Sequence, residues 1–361
     1  MDCPSTPELK YSAWCTAFEQ KMAGKRIPLS GSIELTYRCN NRCVQCYCNQ
    51  PGGDLQEKSR ELTTREILGI IDTIADAGCL WLLLTGGEIM LREDFREIYL
   101  YAKEKGLLVT LFTNGTLIHE GLADFLAEWR PFSVEITLYG ATAATYDKIT
   151  RRKGAYIQCM NGIELLAERK LPLQLKTCLI TMNAHELPEM KALATSIGFF
   201  LRVDPLINCR LDQGRTPADF RLSPEEIVKA DLLDGEEKKE WVRLSLQSPP
   251  KNQSGLIYTC RGGESSFNVD PYGNLSPCMV VKNKAANLKE KDFHTIWEDM
   301  GKMVETATYP PGSPCKSCNL INLCGRCPGW SLLEHGNEEN PVDYLCRVAR
   351  LRQDHLSATA T

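Results

Sequence analysis

The chain has 361 residues and a formal net charge of −4, and no Lys/Arg block long enough to form a nucleic-acid patch. No apolar run approaches the ~20 residues that cross a bilayer, and residues 1–25 lack the apolar core of a signal peptide, so a cytoplasmic chain with no membrane or nucleic-acid partner is expected. Seventeen cysteines in that setting argue for metal or redox chemistry, and the length suits one large domain with a smaller one.

Residues 32–36 read as a first strand and lead into Cys39-x3-Cys43-x2-Cys46, followed at once by Tyr47. Three thiolates so close on a loop would grip three corners of an iron–sulfur cube and leave one iron open to a small molecule. The competing reading is a zinc knuckle completed by Cys48. It is the weaker one, because structural zinc sites favour paired CxxC or Cys/His sets and no His lies nearby.

Thr63 three residues before Glu66 makes a capping box, opening a helix to about Ala77 that stops at Gly78. A strand over 81–85 ends in Thr85-Gly86-Gly87-Glu88, and after a helix over 92–105 a strand over 109–113 ends in Thr113-Asn114-Gly115. A helix over 120–128 precedes a strand over 133–138 that carries Thr137 late. Helices over 141–149 and 155–169 lead to a strand over 174–180, with Thr181 and Asn183 just beyond it. A helix over 185–197 precedes a last strand over 200–205, which carries Arg202. Strands alternating with helices of this length imply an α/β fold on a parallel sheet, either open or closed into a partial barrel. In such a sheet, ligands gather at the carboxyl ends of the strands.

Residues 211–256 are charged and lack strand signals. Ser223-Pro224-Glu225-Glu226 starts a helical bridge that closes at the turn Ser248-Pro249-Pro250. From Cys260 onward the chain is rich in Cys, Gly and Pro, so few regular elements are expected and metal would replace a hydrophobic core. The pattern is Cys260-x12-Gly273-x4-Cys278, then Cys315-x2-Cys318-x5-Cys324-x2-Cys327 and a final Cys346. A zinc ribbon would use four of these and strand Cys260, Cys278 and Cys346. Cys79, Cys159 and Cys178 sit in apolar stretches as small core residues. Asp204 and Asp270 are weighed as proton acceptors, but turn or strand-end roles suit them better.

These motifs resemble the radical S-adenosylmethionine (SAM) enzymes, whose signature is CxxxCxxC followed by an aromatic, over roughly residues 30–350. The resemblance implies a partial (β/α)6 barrel with a C-terminal Cys-rich, metal-stabilised SPASM extension. The boundaries would be an N-terminal extension 1–30, barrel 31–210, helical bridge 211–256, SPASM domain 257–350 and tail 351–361. In the family the open iron chelates the amino and carboxylate groups of SAM, and reductive cleavage releases a 5′-deoxyadenosyl radical that abstracts hydrogen from a substrate. Carried across, Gly86, Gly87 and Glu88 hold the amino group of SAM, Asn114 sits near it, Thr137 faces the ribose, and Asn183 and Arg202 are further contacts.

The C-terminal cysteines resemble the seven-cysteine SPASM pattern, with x2 where x3 is usual before Cys327. The resemblance assigns Cys260, Cys278 and Cys327 to one auxiliary [4Fe–4S] cluster and Cys315, Cys318, Cys324 and Cys346 to another, three clusters in all. The first auxiliary cluster would keep an open iron, a water or an oxygen ligand. A flavodoxin or ferredoxin is the expected electron donor. The expected substrate is a peptide or peptide-like molecule, cross-linked or oxidised. The stretch before the barrel is too short for a leader-recognition domain, so a small peptide-presenting partner is expected. Met279 replaces the Asp of relatives that oxidise a sulfatase residue, which argues against that activity. The alternatives are a small-molecule substrate (sugar, aminoglycoside or tetrapyrrole side chain) and, in another class, a non-catalytic iron–sulfur or zinc protein.

Overall fold

The structure, a computed structural model, describes residues 11–22, 24–48, 50–233, 235–246 and 255–358. The turn expected at Ser248-Pro249-Pro250, Cys3 and the last three residues lie outside the described residues.

Six strands run parallel: β1 (Ser30–Thr36), β2 (Trp81–Gly86), β3 (Leu108–Thr113), β4 (Ser133–Thr137), β5 (Leu173–Cys178) and β6 (Leu201–Asp204). They pair in chain order, with no reversal of the kind that marks a doubly wound sheet. Helices lie between them, as in a partial (β/α)6 barrel. Alternation sorts each strand's side chains: Val109 and Leu111 join the helix-covered core, while Thr110 and Phe112 face the barrel interior. The helix Thr64–Asp76 shows how local chemistry sets an element. Thr63 and Glu66 form the expected capping box, Ile67, Ile70, Ile71 and Ile74 make the buried stripe, and Gly78 at φ +98° ends it.

The sheet does not end at β1. A seventh strand, β7 (Ser266–Val269), pairs parallel with β1, and β8 (Asn274–Ser276) and β9 (Ala286–Asn287) continue antiparallel beyond it. The Cys-rich part was expected to have few regular elements and no core of its own, and here the structure differs. The helices Phe293–Thr306, Pro328–His335 and Asp343–Ala358 are all regular. Phe267, Val269, Leu275, Phe293, Ile296, Trp297 and Met300 pack into the barrel's core, while Ile257, Tyr258, Val281, Val304 and Tyr309 form a second one. The bridge holds two helices, Pro224–Leu233 and Gly235–Leu246, the first started by the Ser223–Glu226 box.

At the amino end of β2, Trp81 packs on Trp14 and Phe18 of the helix Tyr11–Met22. Among the described residues no helix is long and apolar enough to cross a membrane.

Candidate functional site

The Cys39–Cys46 loop leaves the carboxyl end of β1 and is fixed by backbone contacts to the end of β2. Gly87 N donates to Thr36 O (2.6 Å) and Glu88 N to Arg38 O (2.9 Å). Glycine is required at both motif positions: a Cβ would stand 2.2 Å from Thr36 O at Gly86, whose φ is +125°, and 2.3 Å from Arg38 O at Gly87. Gly87→Ala is therefore expected to push the cysteine loop off β2. It should cost at least about 1–3 kcal/mol, read as a fall in the thermal midpoint together with weaker SAM binding by calorimetry.

The three thiols lie within electrostatic reach of one another. Burial, with Glu88 next, pushes Cys39 up to about 12, while the Asn41 backbone N–H and the Asn114 amide act in the other direction. Burial and the neighbouring thiols raise Cys43, and the Tyr139 hydroxyl opposes them. Asn114 Nδ2 donates to Asn40 Oδ1 (2.8 Å) and reaches Cys39 Sγ (3.7 Å). Inside the loop, both ends of the buried Gln45 amide and Asn41 Nδ2 have no hydrogen-bond partner among the described residues. Clustered thiols on a loop that also carries unmet amide groups fit a sulfur-rich cluster that accepts hydrogen bonds. Among the described residues no three His, Cys, Asp or Glu are arranged to hold one metal ion. Cys48, the residue that would complete a zinc knuckle, is buried, and its thiol is raised by its contact with Cys46 and by burial. It is held as a protonated thiol rather than a reactive one.

A buried ion network stands behind the loop. Arg38 donates to both oxygens of Glu61 (2.8 and 3.0 Å), and Arg92 to both oxygens of Asp94 (2.8 and 2.6 Å). Arg92 also meets Glu61 at 3.5 Å and donates to the Leu35 and Leu62 carbonyls.

The expected SAM contacts divide once their surroundings are known. Asn114 lies against Cys39, and the half-buried Thr137 ends β4 on the interior face. Glu88, the expected contact to the SAM amino group, lies at the carboxyl end of β2. It is wholly enclosed and already accepts from Thr113 Oγ1 (2.8 Å), Asn114 N (2.8 Å) and Met90 N (3.1 Å), so it ties β2 to β3. Asn183 is fully buried, its Oδ1 accepts from Ile180 N, and its Nδ2 donates to the Tyr139 and Cys178 carbonyls. These bonds tie the turn after β5 to the end of β4. Arg202 is half exposed and paired with Glu135 at 2.9 Å. Cys79 and Cys159 are core residues, whereas Cys178 ends β5 near Cys43 and Cys46. Asp204 accepts from Leu206 N, and Asp270 from Tyr272 N and Asn274 N, which are turn roles.

Sequence reasoning missed two interior charge groups. The fully buried Glu34 accepts from Tyr37 OH (3.0 Å), Tyr47 OH (3.2 Å), Asn268 Nδ2 (3.0 Å) and Lys282 Nζ (2.8 Å). Across the barrel, Lys176 sits 3.5 Å from Glu135 beside Arg202 and over the Phe112 ring. Burial draws Lys176 down to about 7, Arg202 adding to the fall and Glu135 opposing it. Between that value and the ordinary 10.5, the unfolded chain holds a proton that the folded one does not. This group therefore makes stability rise with pH across that window, by up to about 1.4 kcal/mol per pH unit. Lys176→Met should flatten that rise relative to the unaltered protein, as urea midpoints at pH 7 and pH 9 would record.

The C-terminal cysteines fall into two interleaved groups. Cys260, Cys278 and Cys327 act on one another, and Cys315, Cys318, Cys324 and Cys346 form the other set. Burial raises Cys278 and Cys315 to about 11 and Cys324 to about 12. Cys278 and Met279 also line a cavity of about 310 Å³ with Ser32, Leu83 and Thr110, which are register partners on the interior faces of β1, β2 and β3.

Comparison with known proteins agrees with this layout. The radical SAM superfamily matches residues 33–194, and the SPASM family, an iron–sulfur cluster-binding domain, matches residues 260–328. The AdoMet-dependent heme synthase of Methanosarcina barkeri is 27% identical over 337 residues, covering 85% of this chain and 94% of that one. The PqqA peptide cyclase of Granulibacter bethesdensis is 25% identical over 347 residues, covering 92% and 91%. The crystal structure of Streptococcus suis SuiB bound to S-adenosylmethionine shares the fold at a TM-score of 0.64 and 16% identity, over 96% of this chain and 82% of that one. With cysteine loop, glycine turn and twin C-terminal thiol groups in place, this chain belongs to the radical SAM superfamily and is a radical SAM enzyme with a SPASM domain, a class that binds SAM and iron–sulfur clusters.

Proposed function

We propose that this enzyme abstracts hydrogen from a carbon of a peptide or peptide-like substrate held in the barrel interior, leading to cross-linking or oxidation. The observation that carries the reading is the three-thiol loop at the carboxyl rim of β1–β3, with Asn114 laid on Cys39. Cys39, Cys43 and Cys46 would hold one [4Fe–4S] cluster, Cys260, Cys278 and Cys327 a second, and Cys315, Cys318, Cys324 and Cys346 a third. Bound together, the first cluster and SAM supply a 5′-deoxyadenosyl radical on one-electron reduction. The Gly86-Gly87 backbone, Asn114 and Thr137 would orient SAM. Glu88 would act only through the strand ends it ties together. Arg202, Lys176 and Glu135 would place a charged substrate on the interior face.

The peptide reading draws support from the likeness to the PqqA peptide cyclase over most of both chains. A second reading, hydrogen abstraction from a tetrapyrrole side chain, is favoured by the likeness to the heme synthase over 94% of its length. A flavodoxin or ferredoxin would deliver the electron, a small partner would present the peptide, and the cytoplasm would be the setting. Anoxic reconstitution tests the core of the proposal: three clusters' worth of iron per chain and release of 5′-deoxyadenosine are expected, and bound zinc without SAM cleavage would overturn it. Deuterium transfer to 5′-deoxyadenosine from a labelled peptide, and not from a labelled porphyrin, separates the two substrate readings.

A further inference from the structure

The thiols of Cys260, Cys278 and Cys327 are three where a cube has four corners, and the side chains around them carry unmet donors. Tyr258 is 6% exposed. Its hydroxyl makes no hydrogen bond of regular geometry; the Glu338 carboxylate is the neighbour that acts on it most, followed by the Cys278 and Cys260 thiols. Arg326, between Cys324 and Cys327, is anchored at its tips: its terminal nitrogens donate to the Ile257 and Glu338 carbonyls, each at 3.0 Å, and its guanidinium lies 4.4 Å over the Tyr309 ring. That anchoring leaves Nε buried and unpartnered, while the charge acts on Cys327 and Cys260. Buried donors without acceptors are costly and rare in folded proteins. Here two of them flank one thiol set, Tyr258 beside Cys278 and Cys260 and Arg326 beside Cys327 and Cys260.

We infer that Tyr258 and Arg326 donate hydrogen bonds to the sulfur atoms of an iron–sulfur group held by Cys260, Cys278 and Cys327, and so raise its reduction potential. This rests on the ligand reading of those three cysteines. Arginine has donors only, and the phenol is flanked by groups that can only accept, so both are positioning residues rather than ligands. Reduction adds a negative charge to such a group. Donors and a nearby cation favour the reduced form, and removing them lowers the potential.

The test uses the full chain reconstituted anoxically with iron and sulfide, and a redox titration followed by electron paramagnetic resonance. The signal of this site is identified by its loss in Cys278→Ala. Tyr258→Phe keeps the ring packed among Ile257, Val281, Val304 and Tyr309. It and Arg326→Gln are each expected to retain the iron and the signal but titrate at lower potential. The expected change is on the order of a tenfold fall in the reduced-to-oxidised ratio, about 59 mV for one electron. Arg326→Lys, which keeps a cation, should recover part of the shift. An unmoved potential in either of the first two variants overturns the inference for that residue. Loss of the site's iron in Tyr258→Phe would make the phenol a ligand and overturn its donor role. A protein with no Cys278-dependent signal would overturn the ligand reading and this inference with it.

Discussion

Cys43→Ala, purified without oxygen, is expected to release no 5′-deoxyadenosine above background while keeping its fold and the iron held by the C-terminal cysteines. Cys43 lies at the middle of the loop, within reach of both Cys39 and Cys46 and of the Tyr139 hydroxyl. Without it two thiols remain, and the carboxylate that acts on Cys39, Glu88, already accepts from Thr113, Asn114 and Met90. The substitution removes one sulfur from a loop otherwise held by backbone bonds, such as Val44 N to Ile149 O and Arg42 N to Thr150 O, so the scaffold should survive. Near-unchanged far-ultraviolet dichroism beside a missing cluster absorbance would record that separation. Cys48→Ala is the control: it removes a buried thiol two positions beyond Cys46 that is outside the proposed ligand set, and deoxyadenosine release should continue. Full-rate release by Cys43→Ala would sink the assignment of the loop.

Much of the barrel was legible because its signals are local. Apolar alternation marks β3, and a Thr63–Glu66 box marks the start of a helix whatever surrounds it. The cysteine, glycine and asparagine motifs were readable for the same reason: each is a short run at a strand end. What escaped was set by distant partners. Lys282 meets Glu34 across 248 residues of sequence, and Arg202 meets Glu135 across 67. Nothing in the local pattern of either strand announces such a pair. Glu88 and Asn183 were noticed by residue type and position, but the hydrogen bonds that tie them to neighbouring strand ends come from distant partners. The helix Phe293–Thr306 could have been found from the Asp292 cap and the stripe Phe293, Ile296, Trp297, Met300, Val304, had cysteine density not suggested an irregular region. The dense run of four cysteines likewise gives no local reason for Cys327 to leave its neighbours and join Cys260 and Cys278. That partition came from family resemblance, and the interleaving of the chain provides its physical basis.

Glu61→Ala is expected to destabilise the chain by about 3–5 kcal/mol, because it leaves buried guanidinium charge without its carboxylate. The Glu61 and Arg38 side chains are 5% and 7% exposed, and their contact is bidentate, the geometry in which an arginine pair is strongest. Arg92 keeps Asp94, but among the described residues the Arg38 side chain would retain only the Gly52 carbonyl at 3.2 Å. The loss should also reach the cysteine loop, since Arg38 precedes Cys39 and its carbonyl accepts from Glu88 N. Slower cluster assembly should accompany the lower urea midpoint. Glu93→Ala provides the contrast: its pair with Lys58 is 3.1 Å long but the two side chains are 89% and 50% exposed, and a solvated pair of that kind is worth about 1 kcal/mol or less. If the two variants unfold at the same midpoint, the buried network is not what holds the loop. If Glu61→Ala unfolds early and Glu61→Ala with Arg38→Met regains most of the loss, the stranded charge is the cause, because an apolar replacement of both partners removes the desolvation that a single deletion leaves behind.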